Sequence, residues 1–137
     1  MNRQDLQGVA ERRLQAAESL LQSGHWDSAY YLAGYAVECG LKACIARNVR
    51  EHDFPDKKTV NDSWTHDLEK LVKTAGLEPT LKQIFEGSGK LADNWVVVKD
   101  WSEDSRYERR TEVEARNLVS AITDEPNRVM LWITQYW

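Results

Sequence analysis

The run Arg47-Asn48-Val49-Arg50-Glu51-His52 holds an Arg and a His separated by four residues. That pair suits RNA cleavage by attack of a 2′-hydroxyl on the neighbouring phosphate. The His moves the proton, and the Arg stabilises charge developing on the phosphate oxygens. Asn48 could orient the reacting group, and Arg50 could hold a further phosphate. Geometry adds a condition. On an ideal helix positions 47 and 52 lie about 140° apart, so their side chains converge only if the helix ends between them. Pro55 supplies a reason for such an end, because it keeps the residue before it out of the helical region. His52 would then stand just past a helix C-terminus, where the dipole favours imidazolium. A structural reading stands beside this one: a solvated last turn whose cations complement the helix dipole.

A second set is more scattered. Glu38 interrupts the apolar run Gly24–Cys44, GHWDSAYYLAGYAVECGLKAC, and Lys42 follows one turn later. An isolated buried charge is costly, so a Glu there needs a partner. The pair reads either as an ordinary helix-surface ion pair or as part of a polar cluster. His66, in Thr65-His66-Asp67-Leu68, opens a helical pattern and reads mainly as a hydrogen-bonding residue. Arg106 stands in the connector Ser102-Glu103-Asp104-Ser105-Arg106-Tyr107, where it either braces the loop through Glu103 or Asp104 or faces a phosphate.

Other chemistries lack their residues. Gly87-Ser88-Gly89 has no following Lys-Ser/Thr, and the sequence carries no nucleophile elbow, Ser/His/Asp set or zinc spacing. No metal or cofactor is implied. Cys39 and Cys44 fall about 140° apart on one expected helix and should not pair. The net charge of −4 argues against a broad basic grip on long nucleic acid. A small basic cleft remains open. No apolar run approaches the roughly 20 residues of a membrane span. The opening MNRQDLQGVAERR has no hydrophobic signal core, which leads us to expect a cytoplasmic protein.

The elements that must position these residues are helical. The 137 residues, 42% hydrophobic and 29% charged, fit one domain spanning 1–137. Leu6, Ala10, Leu14, Ala17 and Leu21 predict a first helix over about 4–22, ended by Ser23-Gly24. Trp26, Tyr30, Ala33, Val37, Leu41 and Cys44 predict a second over about 26–50, apolar around so much of its surface that it belongs at a bundle centre. Ala29, Ala33, Ala36, Gly40 and Ala43 would let a neighbour approach it closely. Residues 51–63 read as a loop. Thr65 is expected to cap a third helix ending at Gly76, and Glu78-Pro79 to start a fourth, with Leu81, Ile84 and Phe85 on its core face. Leu91, Trp95 and Val98 resume the helical spacing. Thr111 and Glu114 form a capping box for a last helix using Val113, Leu118, Ala121 and Ile122, which Pro126 must kink or restart. Most of the six Trp are expected to be structural.

These pieces in combination resemble one family. The segment from Trp26 to Ala43, the Thr65-His66-Asp67-Leu68-Glu69-Lys70-Leu71 element and Trp101-Ser102 through Arg106-Tyr107 are similar to the HEPN domain (higher eukaryotes and prokaryotes nucleotide-binding), over about residues 5–135. The resemblance implies an all-α, up-and-down bundle of four to five helices that forms homodimers. It implies one of two activities. Many HEPN proteins are metal-independent RNases, often toxins of toxin–antitoxin pairs, with Arg, four to six residues and His facing a dimer cleft. Arg47, Asn48 and His52 match that pattern, giving His52 the acid/base role, Arg47 the phosphate contact and Asn48 an orienting one. In the RNase branches the motif lies at a later helix, with a Tyr two residues past the His; here Phe54 holds that place. Other members are non-catalytic modules that bind a nucleotide or a small nucleotidyltransferase acting as antitoxin. For those, Glu38, Lys42, His66 and Arg106 would be the features that matter.

Overall fold

The computed structural model describes residues 1–49 and 53–137. In chain order it contains α1 (Arg3–Gln22), α2 (Trp26–Arg47), α3 (Lys57–Asp62), α4 (Leu68–Thr74), α5 (Glu78–Glu86) and α6 (Lys90–Lys99). A 3₁₀ turn (Glu103–Tyr107), α7 (Glu112–Thr123) and α8 (Val129–Thr134) follow, and there is no strand among the described residues. The fold is the expected all-α one, a bundle of long helices joined by short ones. Among the described residues, no helix is long and apolar enough to cross a membrane.

The bundle is organised around α2. Every residue from Ala36 to Leu41 is buried, so the helix is covered on all sides in its middle. α1 packs along it most extensively, while α4, the 3₁₀ turn, α7 and α8 cover the rest. The small residues set these distances. A Cβ on Gly40 would lie 3.1 Å from Ile133 of α8. A Cβ on Gly34 would fall 2.2 Å from the Trp101 indole, inside the ring's van der Waals surface. Ala29, Ala33, Ala36 and Ala43 have no exposed surface, so the stripe is used within the protomer.

Caps fix the helix starts. Asn2 and Asp5 form a capping box on α1, and Thr111 and Glu114 form the expected one on α7. The third predicted helix is capped differently. Asp67, not Thr65, accepts the first-turn N–H of Lys70, at 3.2 Å. Thr65 instead accepts the N–H of Asp67, at 3.1 Å, which shapes the turn into α4. The segment read as a loop contains α3, started by Asp56 accepting from the Thr59 N–H at 2.8 Å. No residue of α3 is buried, so a cap rather than an apolar face defines it.

Pro126 restarts the chain rather than kinking it: α7 stops at Thr123 and α8 begins at Val129. Asn94, 7% exposed, holds this turn by donating to the Asn127 carbonyl at 2.7 Å. Two expected core residues point outward. Val113 is 66% exposed because it lies about 180° around the helix from the buried Ile122. Phe85, near the end of α5, is 40% exposed. Of the Trp residues, Trp95, Trp101 and Trp132 are buried, whereas Trp64 is 77% exposed.

The Gly34–Trp101 contact gives a test. Gly34→Ala must push the indole away, so it should destabilise by about 1–3 kcal/mol, the usual cost of overpacking. For a chain of this length that lowers Tm by roughly 4 °C per kcal/mol in a thermal melt. A variant melting with the parent would show that Trp101 does not seat on α2.

Candidate functional site

The covered middle of α2 contains one charge. Glu38 is 2% exposed, among Val37, Leu41 and other fully buried side chains. Removing a carboxylate from water costs several kcal/mol unless both oxygens find strong donors. Here they do. Lys42 Nζ lies 3.1 Å from Oε2, and His66 Nδ1 lies 2.9 Å from Oε1. Lys42 comes from the next turn of α2. His66 is delivered by the Thr65–Asp67 turn that starts α4.

The chain of contacts continues outward. The other imidazole nitrogen of His66, Nε2, lies 3.1 Å from Glu103 Oε2 on the 3₁₀ turn. The second oxygen of Glu103 is 3.3 Å from Arg106 Nη2. Arg106 also donates to the Tyr31 hydroxyl, from Nη2 at 2.8 Å and from Nε at 3.3 Å. Six side chains from α2, the start of α4 and the 3₁₀ turn therefore form one path: Lys42, Glu38, His66, Glu103, Arg106 and Tyr31. Ionised carboxylates only accept, so His66 serves both of its neighbours only when each ring nitrogen carries a proton; the neutral ring serves one.

Aromatic packing holds the outer end. Tyr31 stacks on Tyr35 and on Trp101, each at 6.1 Å between centroids. The Arg106 guanidinium lies 5.3 Å from the Tyr31 ring centre and 5.9 Å from that of Tyr107. Its bonds to the Tyr31 hydroxyl hold the guanidinium proton even more firmly than usual. Neighbouring groups stay neutral. Burial pushes the Tyr35 phenol up to about 12. It also raises the Cys39 thiol and takes Cys44 up to about 12. Neither cysteine offers a ready thiolate, and both are unpaired and buried.

The other candidates lie at the far end of α2. Arg47 is its last residue and is exposed, with Nη1 donating to the Gln135 carbonyl at a long 3.4 Å. Asn48 caps the helix and donates its amide to the Ala75 carbonyl at 3.0 Å, tying α2 to the end of α4. Arg50 and His52 lie outside the described residues. A hollow of about 250 Å³ opens beside this end, bounded by Asn48, Asp53, Phe54, Asp56 and Thr74. The structure thus brings Glu38, Lys42, His66 and Arg106 together, and places Arg47 and Asn48 apart from them. Among the described residues, no group of three or more His, Cys, Asp or Glu is placed to hold a metal ion.

Two members of the path were not among the sequence's site candidates, although Glu103 is one of the two braces it offers for Arg106, and the one the structure shows. Glu103 carries a signal, standing three residues before Arg106 in a short turn. Tyr31 carries none, since its periodicity marks it only as part of an apolar face.

Glu38→Gln tests the buried end of the path. Gln removes the charge paired with Lys42 and presents an NH2 group to Lys42 or His66, so the variant should lose about 1–3 kcal/mol. Denaturant unfolding reads the loss. Adding His66→Ala to that variant should cost less than it does in the parent, because the partner is already gone. Additive losses would mean that the two side chains do not interact.

The family model described as HEPN domain matches residues 4–133. No curated protein and no solved structure matches the chain.

Proposed function

The chain belongs to the HEPN domain family, and on that premise we propose that it is a homodimeric module that binds single-stranded RNA, with the path from Lys42 to Arg106 taking up phosphates. The convergence of that path carries the reading. Lys42, His66 and Arg106 converge on the carboxylates of Glu38 and Glu103. Glu38 is buried, whereas the side chains of His66 and Arg106 are 43% and 48% exposed, so the outer end of the path is within a ligand's reach. An exposed guanidinium beside an imidazole suits a strand's phosphates even on an acidic protein.

Cleavage is the second reading, and Arg47 is the observation that favours it. Its guanidinium stands exposed at the end of α2, and among the described residues its hydrogen bond is a long one to the Gln135 carbonyl. In this reading His52 takes the 2′-hydroxyl proton as that oxygen bonds to phosphorus and gives it to the 5′-oxygen as its P–O bond breaks, while Arg47 stabilises the phosphate and Asn48 orients the strand after leaving Ala75. No metal enters the step. Such an activity would make the protein the toxin of a toxin–antitoxin pair, with a small nucleotidyltransferase as its antitoxin partner.

The test uses labelled single-stranded RNA with EDTA present, and purified wild type, Arg106→Ala and His52→Ala. We expect wild type to bind, and Arg106→Ala to bind about tenfold more weakly, the worth of one charge-assisted contact. Cutting that vanishes in a folded His52→Ala protein supports the second reading. Wild type that neither binds nor cuts overturns both, and leaves a module for a nucleotide or a protein partner.

A further inference from the structure

The two carboxylates of the path are not equivalent. Glu38 is 2% exposed and sits inside the bundle, whereas the Glu103 side chain is 37% exposed at the surface. Glu103 spans an imidazole and a guanidinium with one oxygen each, His66 Nε2 at 3.1 Å and Arg106 Nη2 at 3.3 Å. Two oxygens of one anion shared between two such donors is also how a phosphate would be held. From this geometry we infer that Glu103 is a built-in occupant of the phosphate site, and that an incoming RNA phosphate takes its place between His66 and Arg106. The inference rests on the reading that this path binds RNA.

Three observations support it. First, the donors are held without Glu103. Glu38 fixes His66 through Nδ1 at 2.9 Å, and Tyr31 fixes Arg106 through its hydroxyl at 2.8 Å. Moving Glu103 away therefore leaves both donors aimed at the same point. Second, an exposed carboxylate pair of this kind is weakly held, so a phosphodiester whose two non-bridging oxygens reach both donors can compete with it. Third, Tyr107, 81% exposed and beside Arg106, offers a face on which the base of the same nucleotide can stack. Displacement transfers no proton and forms no covalent bond; the freed carboxylate turns into water. Glu103 then weakens RNA binding in general and favours ligands whose phosphate can reach both donors.

Anisotropy of a fluorescein-labelled single-stranded RNA tests this with wild type, Glu103→Gln, Asp104→Asn, Arg106→Ala and Glu103→Gln/Arg106→Ala. Asp104 stands next to Glu103, is exposed, and makes the same charge change without touching the site. We expect Glu103→Gln to bind about two- to fivefold more tightly than wild type. Asp104→Asn should gain much less, and Arg106→Ala should abolish the gain. Circular dichroism confirms that each variant is folded. Unchanged or weaker binding by Glu103→Gln, with wild type still bound and Arg106→Ala still impaired, overturns the inference and leaves the RNA-binding reading standing. Equal gains from Glu103→Gln and Asp104→Asn also overturn it, since the effect is then bulk charge. Wild type and Arg106→Ala binding equally, or neither binding, overturns the RNA-binding reading and the inference with it.

Discussion

A carboxylate in the middle of a fully covered helix constrains everything packed against it. Each large apolar side chain buried around Glu38 stabilises the fold by about 2 kcal/mol. An unpaired ion in the same place would cancel several of them. Glu38 is tolerated because Lys42 and His66 each hold one of its oxygens. Lys42 comes with the helix. His66 must be brought by the chain, and that demand fixes how α4 enters the bundle. The Thr65 hydroxyl shapes the turn, the Asp67 carboxylate caps the helix, and the imidazole between them points inward. Sequence neighbours thus divide the work of starting a helix and of pairing a buried charge.

The 3₁₀ turn is seated by a different kind of contact. Trp101 lies against the bare backbone at Gly34, where no larger residue fits. Its ring also stacks on Tyr31. One indole therefore sets both the height of the turn above α2 and the position of the phenol that orients Arg106. Packing precision at an apolar contact becomes angular precision at a charged one.

Much of this was legible in the sequence, and the reasons differ by element. α1, α2 and α7 are long and periodic, and the Thr111–Glu114 box marks its helix start to the residue. α3 was not legible, because a single Asp56 cap holds it and no apolar face announces it. Val113 counts as apolar in any window, yet its angle on α7 puts it opposite the buried stripe. In the site, Glu38 was conspicuous as a charge in an apolar run. The identity of its distant partner was not, since His66 lies 28 residues away. The Arg106–Tyr31 bond joins positions 75 residues apart and follows from tertiary packing alone. The Arg47–His52 spacing was the plainest motif in the chain. Spacing along a sequence says nothing of what a side chain already touches, and Asn48 turns out to tie two helix ends together.

The helix that carries Glu38 also carries Arg47, nine residues further on and without a break. At 1.5 Å of rise per residue, the two positions are separated by roughly 13 Å along a rigid rod. No loop movement can shorten that distance. The helix acts as a ruler between its polar middle and its cationic end. Adding or deleting one residue between them would shift the spacing by only about 1.5 Å but turn one group about 100° around the axis. The register of α2 is therefore a stricter requirement than its length.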